Sequence, residues 1–272
     1  MSEGTATSAD GTVIAYTAWG EGDPIVIVGG ATAHRATTLE NAGLGELIAD
    51  GFRVVDYDRR GRGESGDTAP YAVEREVEDL AAVIGQEGGG RPATVFAWSS
   101  GGHLALNAAQ AGAPVARLVL FEPPVVVDGS RPPLPDDYVE RLDAAVAAGR
   151  PGDAVELFMT AAVGMPGEFV GGMRESEMWP GLEAIAHTIA YDGRNIGDTM
   201  SGRPLRADLW DRVDVPVLVL HGDATWPFLA AGARAVAEHL PTAALEVVPG
   251  ENHSAAPEVL APVLRAFAGK EA

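Results

Sequence analysis

The chain has 272 residues, 46% of them hydrophobic, with 19 Lys and Arg against 39 Asp and Glu and a formal charge of −20. This length and apolar content suit one large domain, or a domain carrying an insertion. The acidic balance argues against nucleic acid and an anionic membrane surface as partners, since both need a basic footprint. The absence of cysteine excludes disulfides, thiolate metal sites and a cysteine nucleophile.

Along the chain, the opening "MSEGTATSADGT" has neither the basic nor the apolar region of a signal peptide. No apolar run approaches the ~20 residues of a membrane span, and a soluble, cytoplasmic protein is expected. Short apolar runs then recur: "PIVIVGG" from Pro24, "FRVVDYD" from Phe52, "ATVFAWS" from Ala93, "RLVLFEPP" from Arg117, "PVLVLHG" from Pro216 and "ALEVVPG" from Ala244. Their length and Val, Ile and Leu content suit strands buried on both faces of a parallel sheet. Residues 73–84, 102–111 and 228–240 have helical spacing. Strand and helix in alternation predict an α/β fold, with ligands beyond the carboxyl ends of the strands.

The alternation stops between Pro123 and Arg212, where three helical patterns occur without a strand. This predicts a helical cap over residues 128–212, inserted into a core made of 1–127 and 213–272. Met159, Met165, Met173, Met178 and Met200 all fall in that segment, beside Trp179. They point to an adaptable apolar pocket, although ordinary helix packing accounts for them equally well.

"FAWSSGGH", residues 96–103, lies where a strand hands over to a helix. A nucleophile that protrudes from such a sharp turn needs small residues two before and two after it. Ser99 has Ala97 and Gly101 there, whereas Ser100 would have Trp98. Ser99 is therefore the candidate nucleophile, and Ser100 offers its backbone N–H at the start of the helix.

Several segments together resemble the α/β-hydrolase superfamily: "VIVGGATAH", "FRVVDYDRRGRGESG", "FAWSSGG", "VPVLVLHGDATWP" and "VVPGENHSAAPEVLAPVLRAF", in the family's order. The resemblance implies a mostly parallel sheet flanked by helices, with His253 as the base for Ser99. It also implies an oxyanion hole from the N–H groups of Ala31 and Ser100, although the family's usual His-Gly is Gly29-Gly30 here. The usual acid position, Gly-x-x-Asp, holds Thr225. Glu122, at the end of a strand, and Asp223 are the two candidate replacements, and Glu122 is preferred for its place on the ligand face. The arginines of "DRRGRGES" are expected to pair with nearby acids.

Trp98, His34, Trp179 and His187 are candidates for substrate contact. No metal-ligand spacing is present, and no cofactor is expected. The partner is a small molecule; the oligomeric state stays open, a homodimer included. The reading that follows is a serine hydrolase cleaving an apolar ester, thioester or lactone through an acyl-enzyme. A lyase, cyclase or carbon–carbon bond-cleaving enzyme with the same pocket, and a silent ligand-binding protein, stand as alternatives.

Overall fold

A computed structural model describes residues 1–269; Lys270, Glu271 and Ala272, the end of the predicted core, lie outside the described residues. Eight strands form one sheet: β1 (Ser2–Thr7), β2 (Val13–Trp19), β3 (Asp23–Val28), β4 (Phe52–Tyr57), β5 (Ala93–Trp98), β6 (Val115–Phe121), β7 (Val217–Ala224) and β8 (Ala243–Glu251). Their order is β1-β2-β4-β3-β5-β6-β7-β8. The six runs identified in the sequence are the six parallel strands, from β4 to β8. Residues 25–28 of β3 are fully buried, as expected of a strand covered on both faces.

The antiparallel β1–β2 hairpin is absent from the sequence reading. Its outer strand is polar and mostly exposed, so no apolar run marks it. The available signal is Asp10-Gly11, a turn dipeptide in which Gly11 has φ 87°.

Helices α1 (Leu39–Ile48) and α10 (Pro257–Ala268) cover one face of the sheet; α2 (Val73–Glu87), α3 (Gly101–Gln110) and α9 (Pro227–His239) cover the other. Between β6 and β7 lie α4 (Tyr138–Ala147), α5 (Pro151–Leu157), a π-helical turn at Phe158–Val163, α6 (Gly167–Met173), α7 (Trp179–Ala184) and α8 (Ile189–Ile196). These helices close around a core of their own, with Leu142, Val155, Val170, Trp179 and Ile189 buried in it.

The helical pattern at 181–192 is broken by a 3₁₀ turn, Ala186–Thr188. The Thr188 hydroxyl donates to the Ile185 carbonyl at 2.8 Å and accepts from Arg62 Nε at 3.0 Å. A side chain bonded this way competes with the regular helical ladder. No helix among the described residues is long and apolar enough to cross a membrane.

The loop after β4 contains the expected arginine pairs. Arg59 meets Glu76 and Asp192, Arg60 meets Asp79 and Asp10, and Arg62 meets Asp192. All three guanidinium groups are buried. Asp56 on β4 has no such partner. It is 3% exposed, and its side-chain partner among the described residues is Asn41 Nδ2 at 3.3 Å. Burial pushes its carboxyl up to about 8; the charge of Asp58 adds to the shift, while the Asn41 bond opposes it.

The folded protein thus holds a proton on Asp56 that the unfolded chain releases near the ordinary carboxylate value. Stability falls as pH rises through that window. Asp56→Asn is expected to be more stable than the parent to chemical denaturation, by a margin that grows from about pH 4 to about pH 8 and then levels. A margin independent of pH would show that Asp56 is ionised in the folded protein.

Candidate active site

Three turns at the carboxyl ends of the parallel strands β5, β6 and β8 build the site. Ser99 follows β5 with φ 50°, Glu122 follows β6 with φ 49°, and His253 follows β8 with φ 66°. Non-glycine residues in this left-handed region cost about 1–3 kcal/mol each and persist only where the surroundings hold them. Thr32, beside the end of β3, and Asn252, next to His253, are also at positive φ. Of these, Ser99 and His253 line one cavity.

The turn at Ser99 depends on close backbone approach. A Cβ at Gly101 would sit 2.6 Å from the Val28 carbonyl oxygen and 2.7 Å from that of Gly29. At Gly30 it would meet the Ser99 Cβ at 3.0 Å. The Ser99 N–H donates to the Phe121 carbonyl at 2.9 Å, which ties the turn to β6.

Glu122 is fully buried, and both of its oxygens are engaged. Oε1 accepts the Gly222 N–H at 2.8 Å, and Oε2 lies 2.5 Å from His253 Nδ1. A carboxylate there requires the proton on Nδ1, which leaves the Nε2 lone pair of a neutral ring free to act as a base. Asp223 is exposed, and its Oδ1 accepts the Gly250 N–H at 3.0 Å instead of reaching His253. The two-residue shift from the Thr225 position thus turns Asp223 toward the end of β8. The Thr225 hydroxyl is buried without a partner among the described residues, and Trp226 lies over the His253 ring at 6.1 Å with a 24° interplanar angle.

Ser99, Ser100, Ala31, Trp98 and His253 line one cavity of about 350 Å³. The N–H groups of Ala31 and Ser100 donate to no acceptor among the described residues, so both are available to a ligand oxygen. The cavity walls are mainly apolar: Tyr138, Phe158, Ile196 and Met200 come from the inserted segment, Trp226 and Phe228 from the start of α9.

Three of the four residues proposed for substrate contact lie elsewhere. Trp179 is 4% exposed inside the inserted helices, its Nε1 donating to Glu183 at 3.0 Å. His187 pairs with Asp67 at 3.3 Å. His34 lies in the loop after β3, where its carbonyl accepts bonds from Thr37 and Thr38, and its ring is not among the cavity-lining groups. Of the five methionines, only Met200 reaches the cavity; Met159, Met165 and Met173 pack within the inserted helices and Met178 is 65% exposed. His103 is buried with Nε2 bonded to Thr199 at 2.9 Å, and burial lowers its pKa to about 4.

Asp192, Trp226 and Phe228 are cavity residues that the sequence reading missed. The aromatic pair stands within or beside "HGDATWP" and was legible as a flank of the vacant acid position. Nothing local marks Asp192, which enters the site only because α8 docks against the core. Among the described residues no group of three His, Asp or Glu side chains is placed to hold a metal ion.

Comparison with known proteins gives a consistent setting for this geometry. A sequence model of the alpha/beta hydrolase family matches residues 25–263. The chain is 32% identical to a non-heme chloroperoxidase from Streptomyces lividans, over 97% of this chain and 99% of that one. It is 30% identical to a bifunctional esterase/perhydrolase from Acinetobacter calcoaceticus, over 92% of each. The crystal structure of an alpha/beta hydrolase from Sphaerobacter thermophilus DSM 20745 superposes with a TM-score of 0.86 at 47% identity, covering 97% of this chain and 99% of that chain.

The short contact at His253 Nδ1 should give a low-field proton NMR resonance. That resonance is expected to survive in Asp223→Asn and to vanish in Glu122→Gln. Its loss in the Asp223 variant alone would reverse the assignment of the carboxylate.

Proposed function

The chain belongs to the α/β-hydrolase family and is a hydrolase, and we propose that it cleaves small-to-medium apolar esters, thioesters or lactones through an acyl-enzyme on Ser99. The observation that carries this reading is the contact of buried Glu122 with His253, 2.5 Å apart, where the histidine lines the cavity that Ser99 also lines. Ser99 Oγ attacks the carbonyl carbon while His253 Nε2 takes its proton. The oxygen that becomes negative is held by the Ala31 and Ser100 N–H groups, which have no other acceptor among the described residues.

Collapse of the tetrahedral intermediate breaks the bond to the leaving oxygen or sulfur, which takes the proton from His253. Water then attacks the acyl-serine, giving its proton to the same ring, and Ser99 is restored. Glu122 keeps the imidazole in the productive tautomer and balances its charge when protonated. Chain order nucleophile, acid, base agrees with that of the fold.

The apolar walls and the volume of about 350 Å³ support a neutral acyl or alkyl group of modest size. A relative named as an esterase/perhydrolase supports ester chemistry.

A fluorophosphonate reagent is expected to label a single serine, with labelling abolished in Ser99→Ala. Turnover of p-nitrophenyl butyrate should fall by roughly 10²–10⁴-fold in kcat for Glu122→Gln. Labelling that persists in Ser99→Ala, or an unlabelled protein that binds apolar ligands without turnover, would contradict the acyl-enzyme reading.

A further inference from the structure

Helix α8 reaches the site through one carboxylate. Asp192 is 2% exposed and lines the cavity, yet neither of its oxygens is free. Oδ1 accepts the Ser100 hydroxyl at 2.7 Å and Arg59 Nη1 at 2.7 Å, and Oδ2 accepts Arg62 Nη2. Arg62 goes on to donate from Nη1 to the Gly30 carbonyl at 2.7 Å. Arg59 donates to the Gly29 carbonyl at 3.3 Å and to Glu76 through Nε and Nη2, both at 2.7 Å.

Two guanidinium groups thus face two carboxylates, all four buried. Their charges cancel, so the cluster does not serve to draw a charged substrate into the cavity. Its contacts converge instead on the Gly29 and Gly30 carbonyls of the loop after β3 and on the Ser100 hydroxyl, next to the nucleophile.

The Gly30 carbonyl and the Ala31 N–H belong to one planar trans peptide and point in opposite directions. Holding the carbonyl therefore aims the N–H, and a guanidinium on the oxygen polarises the peptide toward stronger donation. Gly29-Gly30 has no side chain of its own to restrain this loop, so the restraint must come from outside. At the second donor, the bond from the Ser100 side chain holds the residue that opens α3.

We infer that Asp192 is a positioning residue that couples the inserted helices to both oxyanion donors, directly through Ser100 and by way of Arg62 to the Gly30–Ala31 peptide. This inference rests on the serine-hydrolase reading above. It predicts that Asp192 acts on the charged intermediate and leaves substrate binding almost untouched.

Ser100→Ala removes the hydroxyl but keeps the N–H and every ion pair. With p-nitrophenyl butyrate its kcat should fall about tenfold while KM stays within about twofold. An alkyl trifluoromethyl ketone, whose adduct carries an oxyanion, should bind about tenfold more weakly; the matching methyl ketone should bind as before.

Asp192→Asn should show a deeper loss of the same kind, and adding Ser100→Ala to it should cost little more. If Asp192→Asn fails to fold, Ser100→Ala decides alone. Wild-type kcat in Ser100→Ala, or equal weakening of both ketones, would overturn the inference while leaving phosphonate labelling of Ser99 intact. Loss of Ser99-dependent labelling in the parent protein would instead remove the serine-hydrolase reading, and this inference with it.

Discussion

The contact between the buried Glu122 carboxylate and His253 Nδ1 constrains the rest of the site. A fully buried carboxylate is costly unless its oxygens are bonded, and here one oxygen takes a backbone N–H while the other takes the imidazole. The histidine is thereby fixed in tautomer and in direction. The left-handed turns at Ser99, Glu122 and His253 concentrate local strain on this small region. At Ser99 and Glu122 the strain is tolerable because β5 and β6 are buried along most of their length and leave their ends little freedom to relax.

A second buried network joins the inserted helices to the sheet. Removing one partner of a buried ion pair leaves an uncompensated charge, a loss of about 3–5 kcal/mol in typical cases. Arg59, Arg62, Glu76 and Asp192 are paired throughout, so movement of α8 away from the core would break two pairs at once. The inserted helices supply apolar wall to the cavity and, through Asp192, a rigid contact beside Ser100. Cavity shape and backbone donors therefore depend on the same docked helix.

Much of this was legible in the sequence because its signals are local. Val- and Ile-rich runs gave the parallel strands, and the small residues flanking Ser99 distinguished it from Ser100. Glu122 was legible as a strand-end residue once Thr225 had vacated the usual acid position. What remained hidden depends on tertiary placement. The polar edge strand Ser2–Thr7 lacks an apolar run, and Trp179 and His187 reveal only in three dimensions that they face inward to their own helices or outward to Asp67. Asp192 has neighbours in the chain that say nothing of its partners 92, 130 and 133 residues away.

The most direct measurement is mass spectrometry of the protein quenched in acid during turnover of p-nitrophenyl butyrate. A butyryl group is expected on the peptide containing Ser99, formed more slowly when Glu122 is replaced by Gln. Ester cleavage with no acylated peptide, or with the acyl group on another residue, would contradict it.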